Sequence, residues 1–139
     1  MRIVVATDLD GTIAFDGAPP ARPLRTMLAA VAALPELRLV VATARSPRVV
    51  GEWLAPFADR LDRVCCNGAI VATPERQLHR RELPPALVAR ISGELARAGA
   101  EFCLEYGDRF AASCERALPW MGDRARGVLP ADGAVPRAS

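Results

Sequence analysis

The chain contains no lysine, and all 18 of its Lys and Arg positions are arginines. Against 16 acidic residues they give a formal net charge of only +2, and they are scattered along the 139 residues. A surface that binds nucleic acid usually carries a clustered excess of positive charge. The composition therefore argues against nucleic acid as a partner. It also means that a site needing a basic side chain would have to use arginine.

The chain also has no apolar run of the roughly 20 residues that a membrane-spanning helix needs. Its first segment reaches Asp8 too early to include the apolar region of a signal peptide. Four cysteines occur without a CxxC spacing, and His79 is the single histidine. This pattern does not match a cysteine–histidine metal site. We therefore expect a cytoplasmic protein with reduced cysteines and no membrane partner.

What the N-terminal half does contain is an alternation of strand and helix patterns. The predicted elements are a strand at 2–7, a helix at 23–36, a strand at 37–43, a helix at 47–58 and a strand at 62–66. The strands are short β-branched runs that are apolar on both faces, which is typical of buried parallel strands. Alternation of this kind predicts an α/β fold with a Rossmann-like parallel sheet.

The pattern changes after the third strand. Residues 69–83 predict a hairpin that turns near Pro74, and residues 84–100 predict an amphipathic helix that buries Leu87, Ile91 and Leu95. Residues 101–114 predict two strands around a Gly107-Asp108 turn. The remaining segment, 119–139, has several prolines and glycines and predicts no regular element.

Each of the three core strands ends in polar or conformationally permissive residues. The first is followed by Asp8, Asp10, Gly11 and Thr12, the second by Thr43, Arg45 and Ser46, and the third by Asn67 and Gly68. Ligands of an open parallel sheet bind beyond the carboxyl ends of its strands. The three strand ends therefore predict one shared site at this edge.

The first strand end carries the most informative chemistry. A carboxylate there can act as a nucleophile or as a ligand of a hard cation, and two adjacent carboxylates favour a bound metal or a shared proton. Gly11 permits a sharp turn that can present N–H groups to a phosphate. A plain Asp-Gly turn remains an alternative. An EF-hand calcium loop is excluded, because Ile13 and Pro19 occupy its required glycine and glutamate positions.

The other two strand ends are less specific. Thr43 can donate its hydroxyl to a phosphoryl oxygen near the start of the next helix, or it can simply finish its strand. Arg45 can equally be a solvated loop residue. Asn67-Gly68 is also a favoured pair for a type I′ hairpin turn. These alternatives stay open on the sequence alone.

Together these motifs resemble the haloacid dehalogenase-like (HAD) hydrolase superfamily, in particular its Cof-type sugar-phosphatase-like branch. "DLDGT" (8–12) is similar to the first superfamily motif, "VVATARS" (40–46) to the second, and "CCNGAIV" (65–71) to the Asn-Gly-Ala element of Cof-type members. Position 44 is alanine where this branch often has glycine. The order and spacing of the three motifs also agree.

The resemblance implies a role for each matching residue. Asp8 would be the nucleophile that forms an aspartyl-phosphate, and Asp10 the general acid and base. Both would bind the cofactor Mg²⁺, Asp8 through its carboxylate and Asp10 through its backbone carbonyl. The phosphate-binding residues would be Gly11, Thr12, Thr43 and Ala44. The residues on the substrate side would be Arg45, Asn67 and Gly68.

The resemblance also implies a domain organisation. Residues 1–83 would be the N-terminal part of the HAD core, 84–118 a partial α/β cap and 119–139 an irregular tail. The lysine of the third motif and the acidic pair of the fourth have no counterpart here. Further core strands are missing as well, which predicts that the strand at 2–7 is an exposed apolar edge prone to self-association. We therefore expect the N-terminal portion of a longer hydrolase.

The expected function is a Mg²⁺-dependent phosphatase that hydrolyses a small phosphorylated metabolite. Two alternatives remain. The chain could be a catalytically incomplete remnant or subunit that binds phosphate or metal, which the missing motifs favour. It could also transfer the phosphoryl group to an acceptor other than water, as the related phosphomannomutases do.

Overall fold

The computed structural model describes residues 3–106, 109–114 and 126–128, which fall into two compact units, residues 1–81 and 82–139. In the first unit, five strands form one sheet in the order β1-β2-β3-β4-β5. The strands are β1 (Ile3–Asp8), β2 (Leu37–Ala42), β3 (Asp62–Cys65), β4 (Ile70–Ala72) and β5 (Gln77–Arg80). β1, β2 and β3 are parallel, whereas β4 and β5 are antiparallel. The predicted α/β fold is confirmed.

Two helices connect the parallel strands. α1 (Arg22–Val31) lies between β1 and β2, and α2 (Pro47–Trp53) lies between β2 and β3. Each helix has a proline in its first turn, where a missing N–H costs no hydrogen bond. Ser46 occupies the N-cap of α2 as expected, but its side chain makes no capping hydrogen bond. A short 3₁₀ turn, Ala58–Arg60, then leads into β3.

Both helices are shorter than the sequence indicated. α1 ends at Val31 rather than near Pro35, and α2 ends at Trp53 rather than at residue 58. Because α1 stops early, Leu34 falls in the turn that follows it and is 44% exposed. Met27 is also exposed. The residue of α1 that is buried in the core is Leu28. Apolar periodicity predicted the existence of these helices better than their ends.

The core of this unit lies between the sheet and its helices. Leu39 and Val41 alternate along β2 and are both buried, as expected of one face of a strand. They belong to a cluster formed by the helices, the 3₁₀ turn and the β1–α1 connection. The cluster members are Leu9, Ile13, Ala14, Leu28, Leu39, Val41, Val49, Val50, Trp53, Leu54, Phe57, Ala58, Leu61 and Cys65.

β1 forms one edge of the sheet, and its only strand partner among the described residues is β2. Ile3, Val4 and Val5 are exposed, with Val4 at 64%. The prediction that β1 is a buried strand is therefore wrong for the described residues. The expectation of an exposed apolar edge agrees with these exposures. Such an edge offers unpaired backbone groups to a further strand.

β4 and β5 form the hairpin predicted near Pro74, with Ile70 paired to Arg80. None of the four cysteines forms a disulfide in the described part of the chain, and Cys65 is buried. No helix among the described residues has the length and apolar character needed to cross a membrane.

The second unit contains a helix and a small sheet. α3 (Pro85–Arg97) is followed by β6 (Cys103–Tyr106), β7 (Arg109–Ala112) and β8 (Arg126–Val128). β6 and β7 are antiparallel, as predicted, whereas β7 and β8 are parallel. The predicted turn at Gly107-Asp108 lies outside the described residues.

Two expectations for this unit need correction. α3 does not bury Ile91, which is 40% exposed, and Leu87 and Leu95 are only half-buried, whereas Ser92 is buried. β8 lies within the segment 119–139 that was predicted to be irregular. A three-residue strand has no detectable alternation, and β8 forms through pairing with β7, which sequence patterns do not report.

Candidate active site

The ends of β1, β2 and β3 coincide at one edge of the sheet. Asp8 is paired in register with Ala42, and Ala42 is paired with Val64. The residues that follow the three strands therefore meet around an open cleft of about 410 Å³. The cleft is lined by Asp8, Asp10, Ala42, Thr43, Ala44, Val64, Asn67 and Gly68. Six of these residues were predicted to belong to the site: Asp8, Asp10, Thr43, Ala44, Asn67 and Gly68.

Leu9 fixes the positions of the two aspartates at the end of β1. Its side chain is fully buried, whereas Asp8 and Asp10 on either side of it are exposed. The backbone N–H of Leu9 donates to Oδ1 of Asp8 at 2.6 Å. One buried leucine therefore holds two carboxylates at the cleft, and a backbone donor orients the first of them.

The turn after Asp10 contains a glycine, Gly11, in a backbone conformation that other residues rarely adopt. Gly11 has φ +75°, and no heavy atom beyond its two chain neighbours lies within 4 Å of the position that a Cβ would occupy. Its N–H donates to the carbonyl oxygen of Ala14 at 2.7 Å. That N–H, which the sequence assigned to a phosphate, is therefore engaged within the turn in this structure. Thr12 is exposed in the same turn.

Thr43 is buried just beyond β2, with 6% of its surface exposed. Its N–H continues the sheet by donating to the carbonyl of Val64 at 2.8 Å. Its hydroxyl oxygen accepts a hydrogen bond from the N–H of Arg45 at 3.1 Å. Because the oxygen is used as an acceptor, the hydroxyl hydrogen remains able to donate. Thr43 thus both completes its strand and lines the cleft. A structural role at the strand end is therefore compatible with a hydroxyl that binds a phosphoryl oxygen.

The link between β3 and β4 closes the cleft on the other side. Cys66, Asn67 and Gly68 all have positive φ values, of 52°, 54° and 90°. The N–H of Asn67 donates to the carbonyl of Thr43 at 3.3 Å. Asn67-Gly68 is therefore a tight link between antiparallel strands and also part of the cleft lining.

Arg45 reaches back across the site to Asp10. Its Nε lies 3.0 Å from Oδ1 and 2.9 Å from Oδ2 of Asp10, and its terminal NH2 lies 2.7 Å from Oδ1. The guanidinium carbon also lies 4.2 Å from the ring centre of Trp53. The sequence placed Arg45 on the substrate side but did not indicate either contact. Trp53 lies on the following helix, and nothing in its sequence context predicts that it contacts Arg45.

The residues at the cleft suit a hard cation more than a soft one. Asp8 and Asp10 supply oxygen donors, and the cleft is open, so water molecules can complete a ligand shell, as Mg²⁺ prefers. Within the described ranges, no group of three His, Cys, Asp or Glu residues is arranged to hold a metal ion. The two carboxylates and the open cleft are the features that fit Mg²⁺.

Comparison with known families identifies one that matches most of the chain. The model of the haloacid dehalogenase-like hydrolases matches residues 5–118 of the chain. A search of curated protein sequences gives no match.

Several solved structures share the fold. A haloacid dehalogenase-like hydrolase from B. subtilis superposes with a TM-score of 0.68 at 20% identity, covering 84% of this chain and 40% of its own. One from Bacteroides thetaiotaomicron gives 0.66 at 21% identity, covering 83% and 45%. A sugar phosphatase of HAD subclass IIB gives 0.59 at 18% identity, covering 81% and 44%. The chain thus spans less than half the length of each of these three proteins.

Proposed function

This chain belongs to the haloacid dehalogenase-like hydrolases, and we propose that it is a Mg²⁺-dependent phosphatase of a small phosphorylated metabolite, or the N-terminal portion of one. The observation that carries the proposal is the meeting of Asp8, Asp10 and Thr43 in one open cleft. Together they provide a nucleophile, a proton donor and acceptor, and a hydrogen-bond donor for a phosphoryl oxygen.

The proposed chemistry has two steps. A carboxylate oxygen of Asp8 attacks phosphorus, the bond between phosphorus and the leaving oxygen breaks, and Asp10 gives that oxygen a proton. Water then attacks the phosphorus of the aspartyl-phosphate while Asp10 accepts its proton, the bond between phosphorus and the Asp8 oxygen breaks, and inorganic phosphate leaves the restored carboxylate. The exposure of both carboxylates and the hydrogen bond from Leu9 to Asp8 support these roles.

Neutral groups would hold the phosphoryl group. Thr43 is oriented by the N–H of Arg45 and can donate its hydroxyl hydrogen into the cleft. Gly11, Thr12 and Ala44 belong to the turns that would surround the phosphate. Arg45, Asn67 and Gly68 would face the rest of the substrate. Such preset donors stabilise the charge that develops on phosphoryl oxygens.

Mg²⁺ would be held by the carboxylate of Asp8 and the backbone carbonyl of Asp10. When bound, the ion offsets the repulsion between the nucleophile and the phosphate. The second unit, with α3 and the sheet β6-β7-β8, is proposed to be the beginning of a cap that selects the substrate. The reaction is proposed to take place in the cytoplasm.

The exposed edge of β1 is proposed as a surface for self-association. Ile3, Val4 and Val5 present apolar side chains there, and the outer backbone groups of the strand can pair with a strand of another chain.

A second candidate function is phosphate or metal binding without catalysis. What favours it is that the chain has no lysine and no second acidic pair with which to complete the catalytic machinery. Phosphoryl transfer to a sugar phosphate remains a third candidate, because an aspartyl-phosphate can react with either acceptor.

The test is hydrolysis of an aryl phosphate by the full chain with and without Mg²⁺. We expect Mg²⁺-dependent activity that Asp8→Asn abolishes. Asp16→Asn is the matched control, because Asp16 is exposed and does not line the cleft. Phosphate binding without turnover by the folded chain would favour the binding remnant. Turnover that requires added sugar phosphate as acceptor would favour transfer.

A further inference from the structure

A second cavity, of about 270 Å³, lies against the part of the sheet formed by β3, β4 and β5. Its lining shares no residue with the cleft lined by Asp8 and Asp10. All of the lining residues fall between positions 47 and 77, so the cavity belongs to the first unit alone. The proposed phosphatase reaction makes no use of it.

Strand register places the floor of this cavity on one face of the sheet. Arg63 is paired with Ala72, and Ala72 with Gln77, so these three residues form one row across the strands. Cys65 and Ile70 are paired in the next row. Residues opposite each other on neighbouring strands, and residues two apart along a strand, share a face. The floor is therefore apolar apart from one guanidinium and one amide.

The walls come from the start of α2 and from the turn between β4 and β5. Pro47, the first residue of α2, lies in one wall. The turn is closed by Thr73, whose hydroxyl oxygen accepts from the N–H groups of Glu75 and Arg76 at 3.3 Å each. The N–H of Thr73 also donates to the carbonyl of Arg76 at 2.9 Å. The cavity is thus shaped by backbone structure that is already formed, as is usual for small-molecule sites.

Arg63 is the residue of the floor whose hydrogen bonding is incomplete. It is partly buried, and its Nε is shielded from solvent and has no hydrogen-bond partner among the described residues. A charged donor is costly to bury without a partner, and carboxylate and phosphate oxygens are the acceptors that suit a guanidinium best. An anion in this cavity would therefore meet a donor that the described part of the chain leaves unsatisfied.

The charges around the cavity favour an anion with a single charge. Arg63 and Arg76 are positive and Glu75 is negative. Oε1 of Glu75 lies 3.9 Å from the guanidinium of Arg38, which is not part of the lining. Cys65 is neutral near pH 7 because burial raises the pKa of its thiol to about 11. One net positive charge complements a carboxylate better than a doubly charged phosphate ester.

We propose that this cavity is a second binding site, which takes a small monocarboxylate with a short aliphatic chain. The carboxylate pairs with Arg63 and with the exposed Arg76, and the aliphatic chain lies against Cys65, Ile70 and Ala72. The ligand is small because the cavity lies below the range of about 300–1,000 Å³ that is typical of drug-sized ligands. The inference goes beyond the proposed function and does not rest on it.

Calorimetric titration of the full chain with isocaproate, in the absence of Mg²⁺, tests the site. We expect binding that Arg63→Gln weakens about tenfold or more, because a hydrogen bond between charged groups is lost. Arg60→Gln is the matched control. It removes the same charge from an exposed position outside the cavity, so the dissociation constant should change less than about twofold. No binding, or equal losses in the two variants, would overturn the site.

Changes to the probe and to the floor test the apolar half of the proposal. Acetate lacks the aliphatic chain and should bind at least about tenfold more weakly than isocaproate, because less apolar surface is buried. Ala72→Leu places a larger side chain in the floor and should abolish binding of isocaproate. Retained affinity in Ala72→Leu, or equal affinity for acetate, would contradict the proposed location of the chain.

If Arg63→Gln does not fold, Arg76→Gln takes its place. Arg76 is exposed in a turn, and its loss should weaken binding about two- to fivefold. An affinity that Arg76→Gln leaves unchanged would then overturn the proposed pairing.

Thr43→Val separates this site from the catalytic cleft. It changes a residue of the cleft and none of the cavity, so the affinity for isocaproate should stay the same. A loss of affinity in Thr43→Val would place the carboxylate in the cleft and overturn the second site, without bearing on phosphatase activity. Binding that depends on Arg63 in a chain without phosphatase activity would support the second site and count against the proposed function alone.

Discussion

Asp8 and Ala42 are paired in register, so β1 and β2 end side by side. This pairing brings the carboxylate of Asp8, the last residue of β1, and the hydroxyl of Thr43, the first residue after β2, to the same cleft. The site therefore depends on parallel strand register, and a change that disturbs the end of β1 should affect stability and chemistry together.

Leu9→Ala tests that dependence. Leu9 has no exposed surface, and truncation of a buried leucine to alanine costs about 2–5 kcal/mol of unfolding free energy. We expect a loss in this range by urea unfolding, with reduced phosphatase activity even where the protein is still folded. Leu78→Ala is the control, because Leu78 is 51% exposed and its truncation should cost less than about 0.5 kcal/mol. Equal losses from the two variants would contradict the assigned core.

Thr43→Val tests the role of the threonine hydroxyl. The substitution nearly preserves shape but removes the group that accepts from the N–H of Arg45 and is proposed to donate to phosphate. Loss of one such donor typically lowers turnover by about 100-fold. Thr43→Ser keeps the hydroxyl and should retain most of the activity. Steady-state kinetics on an aryl phosphate measures the activity of both variants. Equal activity of Thr43→Val and Thr43→Ser would contradict a role for the threonine hydroxyl in binding the phosphoryl group.

Cys65 should weaken the fold at alkaline pH. Burial raises the pKa of its thiol from 9.0 to about 11, with a smaller contribution from Cys66 and an opposing one from Arg63. The folded state holds the Cys65 proton more tightly than the unfolded state does. The free energy of unfolding that the protonated thiol contributes is therefore fully present below pH 9.0 and is lost as the pH rises through about 11.

Urea unfolding as a function of pH measures this effect. Cys65→Ala should flatten the fall in stability above pH 9.0 relative to the unsubstituted chain. Identical slopes with and without Cys65 would show that this thiol does not cause the alkaline loss.

The sequence predicted the sheet and the cleft better than the contacts within the cleft. β-branched runs and the polar residues after them were enough to place Asp8, Thr43 and Asn67 at neighbouring strand ends, because parallel strands share one carboxyl edge. The contact between Arg45 and Asp10 could not be predicted in this way. It joins residues 35 positions apart through side-chain conformations that no local pattern records.

Element ends and burial were the weaker predictions. α1 stops at Val31, four residues before the proline that was expected to end it, because helix ends depend on tertiary contacts as well as on local signals. Ile91 has helical apolar spacing but is 40% exposed, since periodicity reports which residues share a face and not what covers that face.

The most direct test of the central claim is to trap the covalent intermediate on Asp8. The full chain would be mixed with an aryl phosphate and Mg²⁺, quenched in acid, and reduced with borohydride, which converts an aspartyl-phosphate to homoserine. Mass spectrometry of the peptides should find homoserine at position 8, and only when the phosphate ester was present. Hydrolysis that proceeds with homoserine at another position, or with none, would contradict Asp8 as the nucleophile.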